Sequence, residues 1–295
     1  MRTFQQIGPL RTYLRGIRQE GKTIGFVPTM GALHEGHLAL IRRAKADCDL
    51  VVVSIFVNPK QFAPDEDFDA YPRDLNHDLQ VASVGGADAL FAPAVEEIYP
   101  PGYQTVVDVP QVGSVLEGAD RPGHFQGVAT VVTKLLNIIH PDIAFFGQKD
   151  YQQLLVIERL VSDLNLAVGI TMVPTMREQD GLAMSSRNAY LSPEDRTAAS
   201  LLHRALQLAQ SRVASGELNP QAIRRQIEQL VTDEPRAQLD YVALVHPETL
   251  HPIETLSEGV TLVVLAVRFG ATRLIDNQLI APDNVPIPKN RFHKS

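Results

Sequence analysis

Apolar positions recur along this chain with two periods, and the switching between them predicts the architecture. Near the N-terminus, Leu10, Leu14 and Ile17 fall on one face of a charged stretch, which predicts a helix within residues 1–20. The extended apolar pair Phe26 and Val27 follows and is broken at Pro28 and Gly31. Apolar residues then resume at helical spacing (Leu38, Leu40, Ile41, Ala44), and Leu50–Val57 (LVVVSIFV) is rich in β-branched residues, as a buried strand is. Strand, glycine turn, helix and buried strand make a βαβ unit, which implies a parallel sheet.

The same reading continues down the chain. Asn58–Tyr71 is a polar, proline-broken loop at the carboxyl end of a core strand, where open α/β sheets bind ligands. Arg73–Val84 reads as a helix closed by Gly85 and Gly86, Ala89–Phe91 as a short strand and Thr105–Val109 as a further one. After the glycine-punctuated RPGHFQG (Arg121–Gly127), an apolar helix runs from Val128 to the residues before Pro141. Strand Asp142–Phe146, tight loop Gly147–Asp150, helix Tyr151–Leu164 and strand Val168–Pro174 follow. Arg177–Leu191 is polar and carries paired serines. Ser192-Pro193 reads as an N-cap with proline at the first helical position. Helices at about 194–214 and 220–232 precede three strands, near Asp240–Val245, Val260–Phe269 and Arg273–Ile280. The expected fold class is α/β: a Rossmann-like parallel-sheet domain over residues 1–175 and a smaller α+β domain over 176–295, with the serine loop as hinge.

Composition narrows the function classes. A length of 295 residues allows one large domain or two smaller ones, and 44% hydrophobic residues is ordinary for a globular protein. A formal net charge of −7 argues against nucleic acid or an anionic membrane as the main partner. One cysteine, Cys48, precludes an intramolecular disulfide and fits a reducing compartment; its place at a helix end beside a strand reads as structural. With no apolar run long enough to span a bilayer and no signal-peptide core at the N-terminus, the expectation is a cytoplasmic protein.

His34 and His37, three apart, share one face at the mouth of the helix after the glycine turn. Unpaired N–H groups and the positive end of the helix dipole favour anions there, so two imidazoles beside them suit phosphate chemistry. A rival phosphate motif, Gly16–Thr23 (GIRQEGKT), matches G-x-x-x-x-G-K-T by letter but follows a helix and opens a strand, the reverse of what a P-loop needs; Lys22 reads as a solvated turn residue. H-E-G-H lacks the H-E-x-x-H spacing of a zinc site, and no third ligand is apparent.

The string PTMGALHEGH (Pro28–His37), followed in order by NPKQF (Asn58–Phe62), FGQKD (Phe146–Asp150) and GLAMSSRN (Gly181–Asn188), resembles the pantothenate synthetase family, pantoate–β-alanine ligases within the H-x-G-H nucleotidyltransferase superfamily. The resemblance covers nearly the whole chain. It implies ATP-dependent condensation of pantoate with β-alanine through a pantoyl adenylate, releasing AMP and pyrophosphate. It implies nucleotide contacts at Met30, Gly31, Ala32, Leu33, His34, Glu35, Gly36 and His37, at Gly147, Gln148, Lys149 and Asp150, at Met176, and at Met184, Ser185, Ser186 and Arg187. His37 takes the role of proton donor, with His34, Lys149, Ser185, Ser186 and Arg187 completing the catalytic set. Gln61 is implied as a contact to both pantoate and β-alanine, Gln153 as a contact to pantoate, and Asn58 as a residue that shapes its loop. The second domain is expected to act as a lid over ATP. Position 176, commonly valine in the family, is methionine here; a backbone contact to adenine is unaffected by that change. The family often has adjacent acids where this chain has His77-Asp78; Asp78 is considered as a magnesium contact and not assigned, Mg²⁺ being expected to ride on the triphosphate and water. A homodimer is implied. Two other readings remain open at this point: a related nucleotidyltransferase that retains the nucleotide in its product, and a non-catalytic nucleotide-binding regulator.

Overall fold

The structure is a computed structural model and describes residues 1–287 apart from 65, 67 and 284. Its described residues divide into two compact units, one from Met1–Gln148 and Gln152–Pro174, the other from Lys149–Tyr151 and residues 175–287.

The first unit is built on a six-stranded sheet whose strands are β1 (Arg2–Phe4), β2 (Ile24–Thr29), β3 (Leu50–Ile55), β4 (Ala89–Phe91), β5 (Ile143–Gly147) and β6 (Gly169–Val173). Their order is β1-β4-β3-β2-β5-β6 and every pairing is parallel. The helices are α1 (Ile7–Gln19), α2 (Glu35–Asp47), α3 (Leu75–Gly85), the single turns α4 (Val95–Ile98), α5 (Pro110–Gly113) and α6 (Glu117–Asp120), then α7 (His124–Ile139) and α8 (Tyr151–Asp163). Central strands covered on both faces need unbroken apolar runs, and Val51, Val52 and Val53 are all fully buried, as are Phe26, Val27 and Phe145. Helix α2 lays Leu40, Ile41 and Ala44 against this sheet. Burying side chains of this size stabilises by roughly 1.5–3 kcal/mol each relative to exposure. The two central strands end at Thr29 and Ile55 in register, so the turns that leave them start side by side.

Three expectations change. Arg2–Phe4 is a strand, too short to carry a periodic signal. Thr105–Val109 is not one: the Val107 N–H donates to Thr130 Oγ1 (3.0 Å), and the Val109 N–H goes to the Asp108 carboxylate (2.8 Å), so no ladder can form. The helix expected at 194–214 breaks into α9 (Pro193–Ala198) and α10 (Leu201–Ala214), with Ser200 Oγ bonded back to the Thr197 carbonyl. Gly16–Thr23 ends α1 and turns through Gly21 (φ +73°) into β2, with Lys22 exposed and paired to Glu20 at 2.6 Å. Cys48 is buried beside Gly25, and burial pushes its thiol up to about 11, so it is inert at neutral pH.

The second unit has an antiparallel sheet, β7 (Ala237–Val245), β8 (Thr261–Phe269) and β9 (Thr272–Ile280), in that order. One face is covered by α10 and by α11 (Pro220–Thr232), whose Leu206, Ile223 and Ile227 pack with Val263 and Leu265. Ser192 caps α9 by accepting from the Asp195 N–H at 3.1 Å, with Pro193 next in line.

Candidate active site

The turn between β2 and α2 is shaped by backbone that only certain residues accept. Gly31 has φ +87° and Ala32 φ +50°, both left-handed. Thr29 Oγ1 donates to the Ser54 carbonyl (2.7 Å) and accepts from the Gly31 N–H (3.2 Å). Beneath the turn, Asp78 of α3 accepts from the Leu33 N–H (2.7 Å) and the Ala32 N–H (3.1 Å). Burial raises the Asp78 carboxyl above its ordinary value, against the pull of those two bonds.

His34 and His37 then cap the helix with their own rings. His34 Nδ1 accepts from the Gly36 N–H (3.1 Å), and His37 Nδ1 accepts from the His34 N–H (3.2 Å). A nitrogen that accepts carries no proton, so the network assigns each neutral ring its proton on Nε2, the atom remote from the backbone. The rings lie 4.2 Å apart between centroids. The result is a pair of oriented N–H donors at a helix N-terminus, where the dipole already favours anions. The turn thus brings together Met30, Gly31, Ala32, Leu33, His34, Glu35, Gly36 and His37 as one segment, with Leu33 buried, Glu35 exposed and both histidines half-buried.

The loop after β3 is held just as closely. Asn58 is buried; its Nδ2 donates to Gln61 Oε1 and to the Gly127 carbonyl (both 3.1 Å), and its Oδ1 accepts from Lys60 N–H and from Tyr99 OH. Gln61 Nε2 contacts Met30 Sδ at 2.9 Å, which joins the loop to the glycine turn. The Gln61 carbonyl accepts from His124 Nδ1 (2.8 Å), so that ring takes the Nδ1–H tautomer and Nε2 accepts from Arg121 (3.1 Å). Burial, with the Arg121 charge beside it, pushes His124 down to about 4. Arg121 also forks onto Glu66 at 2.6 and 2.7 Å. Burial works to raise Glu66, but Arg121 outweighs it and holds the carboxyl below its ordinary range. Gly127 lies so near the Lys60 carbonyl that a Cβ there would overlap it. Gln153, on α8, is half-buried, whereas its neighbour Gln152 is buried and spent on the Val112 and Val115 carbonyls and the Glu117 N–H. Gly147 ends β5 and Gln148 follows it, both half-buried.

The remaining predicted residues belong to the second unit. Lys149 Nζ pairs with Asp150 Oδ1 (3.2 Å) in a short 3-10 turn, and the Lys149 carbonyl accepts from Asn277 Nδ2 (2.7 Å) on β9. Met176 is exposed and its carbonyl accepts from the Met184 N–H (2.9 Å). Ser185 Oγ caps the next turn by accepting from the Arg187 N–H (3.3 Å), with Ser186 between them. Behind this loop, Arg177 forks onto the buried Asp276 at 2.5 and 3.0 Å, and Arg196 binds Glu178 and Asp180. Asp78, His124, Arg121, Glu66, Asp276 and Asn277 were not predicted as anchors; each acts on backbone or charge far away in sequence, and no local pattern marks such a partner.

The family model for pantoate-beta-alanine ligase matches residues 2–279. This chain belongs to that family. A pantothenate synthetase of Carboxydothermus hydrogenoformans is 54% identical over 284 residues, 96% of this chain and 100% of the relative. One of Sinorhizobium medicae is 52% identical, covering 98% and 99%. Among solved structures, pantothenate synthetase from Thermus thermophilus superposes with a TM-score of 0.91 at 48% identity, covering 96% of this chain and 100% of that one. Pantoate-beta-alanine ligase from Francisella tularensis, complexed with beta-gamma ATP and beta-alanine, gives 0.79 at 35% identity, over 95% and 97%. As a pantoate–β-alanine ligase the chain is an enzyme that joins pantoate to β-alanine with ATP, which closes the two other readings that the sequence left open.

Proposed function

We propose that this ligase works in two half-reactions through a pantoyl adenylate. A carboxylate oxygen of pantoate attacks the α-phosphorus of ATP; the new P–O bond forms as pyrophosphate leaves with the electron pair of the old one. The β-alanine amine then attacks the acyl carbon, the amide C–N bond forms, AMP departs with the C–O electron pair, and the amine proton passes to solvent. No enzyme nucleophile is needed, so positioning and charge stabilisation are the protein's task.

The observation that carries this reading is the double cap made by His34 and His37: each Nδ1 accepts from a backbone N–H, which turns each Nε2 away from that backbone, and we assign Nε2–H as the donor to phosphate oxygens. His37 donates to the oxygen that gains charge as pyrophosphate departs. Gly31, Ala32, Leu33 and Gly36 let the nucleotide approach the backbone. Lys149 supplies a mobile cation, Asp150 accepts from a ribose hydroxyl, and Met176 with Met184 borders the adenine. To the C-terminal unit we assign the supply of Ser185, Ser186 and Arg187 to the phosphates, a lid's function. Gln61 donates to and accepts from pantoate and β-alanine, and Gln153 holds pantoate. The Francisella protein's beta-gamma ATP and beta-alanine are ligands of the same classes.

Magnesium has no protein cage to enter among the described residues: no three His, Cys, Asp or Glu side chains converge. We assign the ion to the triphosphate and its waters, because Mg²⁺ dehydrates reluctantly and binds substrate phosphates readily. No helix among the described residues is long and apolar enough to cross a membrane. We assign the enzyme to the cytoplasm, as a homodimer.

The test omits β-alanine. With pantoate and ATP alone, labelled pyrophosphate should exchange into ATP. Exchange that strictly requires β-alanine would rule out the free-standing adenylate.

A further inference from the structure

We propose that Asp78 is the positioning residue of the phosphate-binding turn and not a ligand of magnesium: its carboxylate holds the Ala32 and Leu33 N–H groups and so sets where α2 begins and where the His34 and His37 rings lie. The inference rests on reading that turn as the triphosphate site.

Five observations meet at this side chain. Both oxygens are engaged by backbone, at 2.7 Å to Leu33 and 3.1 Å to Ala32. Only 1% of the residue is exposed, whereas an ion that keeps most of its waters needs an oxygen it can reach. Ala32 has φ +50°, a conformation an L-residue holds only when its surroundings insist on it, and Asp78 is the side chain that grips its N–H. Gly31, one residue earlier, leaves room for the carboxylate: a Cβ there would sit 2.8 Å from Asp78 Oδ2. The start of α3 is fixed independently, by Asp74 accepting from the His77 N–H at 3.0 Å, so Asp78 is spared from capping its own helix. Of the charged groups that face it, Asp74 and His77 lie on its own segment, where Asp74 accepts from the His77 N–H.

The deciding variant is Asp78→Asn, which keeps the shape and turns one acceptor into a donor that faces an N–H. Pyrophosphate exchange should fall by about 100-fold at saturating ATP, the order expected when reacting groups are misplaced by an ångström. The KM for pantoate and the magnesium concentration for half-maximal exchange should each stay within about twofold, since neither contact is touched. Adding Ala32→Gly should recover about fivefold, because glycine adopts the left-handed conformation without the carboxylate's help. Should Asp78→Asn alone fail to fold, the Asp78→Asn, Ala32→Gly double variant carries the same comparison. Exchange within about threefold of the unaltered enzyme, a magnesium requirement raised about tenfold or more, or no recovery in the double variant overturns the proposal. His37→Ala run in parallel separates the two levels. If it loses exchange while Asp78→Asn keeps it, only the role of Asp78 is wrong. If it keeps full exchange, the turn is not the triphosphate site and the inference falls with it.

Discussion

The turn Thr29–His37 and the loop Thr175–Leu191 each present donors of phosphate-binding kind, yet they are held by different forces. In the turn, the bonds are short in sequence and made to backbone: Thr29 to Gly31, His34 to Gly36, His37 to His34. Three partners come from a distance: Ser54 beside the turn's start, Gln61 at Met30, and Asp78, which alone holds two of its backbone N–H groups. In the loop, charge holds charge: Arg177 to Asp276, Arg196 to Glu178 and Asp180, with Asn188 tied to Glu178 and to the Ala183 carbonyl. Backbone caps fix an atom closely because there is no lever arm. Ion pairs act through long side chains and lose strength when screened, except where one partner is buried, as Asp276 is. A rigid turn suits a site that must aim a proton, and a charge-tethered loop suits donors that must follow a substrate.

The largest test of this contrast is Arg177→Met. It leaves Asp276, whose side chain is wholly buried, with its charge unmatched, and the loss of one partner from such a pair costs about 3–5 kcal/mol. Urea unfolding of the full chain measures it, and a loss under about 1 kcal/mol would mean that the loop is not anchored by charge. His37→Ala comes next. Adenylate formation should fall by about 10²–10³, the effect of removing one preorganised donor, while pantoate binding by calorimetry stays level. A drop below about tenfold would make His37 a cap and nothing more.

The third test is acid. His124 titrates near 4 in the folded chain, below its ordinary 6.5, so the unfolded chain binds the extra proton in between. The neutral ring therefore stabilises fully above pH about 6.5, and that contribution, up to about 3 kcal/mol, is lost as pH falls towards 4. His124→Asn should flatten the difference in unfolding free energy between those two pH values; an unchanged slope would place the proton elsewhere. The smallest effect is on the substrate side. Gln61→Leu keeps bulk and removes both polar functions, so the KM for pantoate and β-alanine should rise about ten- to a hundredfold, or roughly 1–3 kcal/mol, with ATP affinity unchanged. If ATP affinity falls instead, the Gln61 loop belongs to the nucleotide.

The parallel sheet was legible because its strands announce themselves: Leu50–Val57 has no other use for so many β-branched residues, and glycine turns separate it from helices of clear period. Helix starts were legible where a cap is local, as at Ser192-Pro193. The order of strands was not, since β1 is three residues long and finds β4 only after the chain has returned. Thr105–Val109 has the composition of a strand, and what denies it a ladder is Thr130, a tertiary partner that no window of sequence contains. The site divides in the same way. The two histidines could be picked out by their spacing at a helix mouth, and the glycines and paired serines by the resemblance of the motifs that carry them. Asp78, His124 and Asp276 could not, because their roles are defined by which backbone or charge they meet after folding.

The capping by His34 and His37 limits what these positions can become. Each ring accepts with one nitrogen and donates with the other, on opposite sides of a rigid five-membered frame. Lysine and arginine bring charge but no acceptor, so they would release the Gly36 or His34 N–H. Aspartate and serine cap well, yet aspartate brings the wrong charge and serine is too short to reach as far as an imidazole Nε2. Asparagine and glutamine alone among the uncharged alternatives carry donor and acceptor on two separate atoms, as the imidazole does. A library randomised at 34 and 37 and selected for growth should therefore return histidine first and side-chain amides second, and leave out the cations that a simple phosphate-attracting patch would have welcomed.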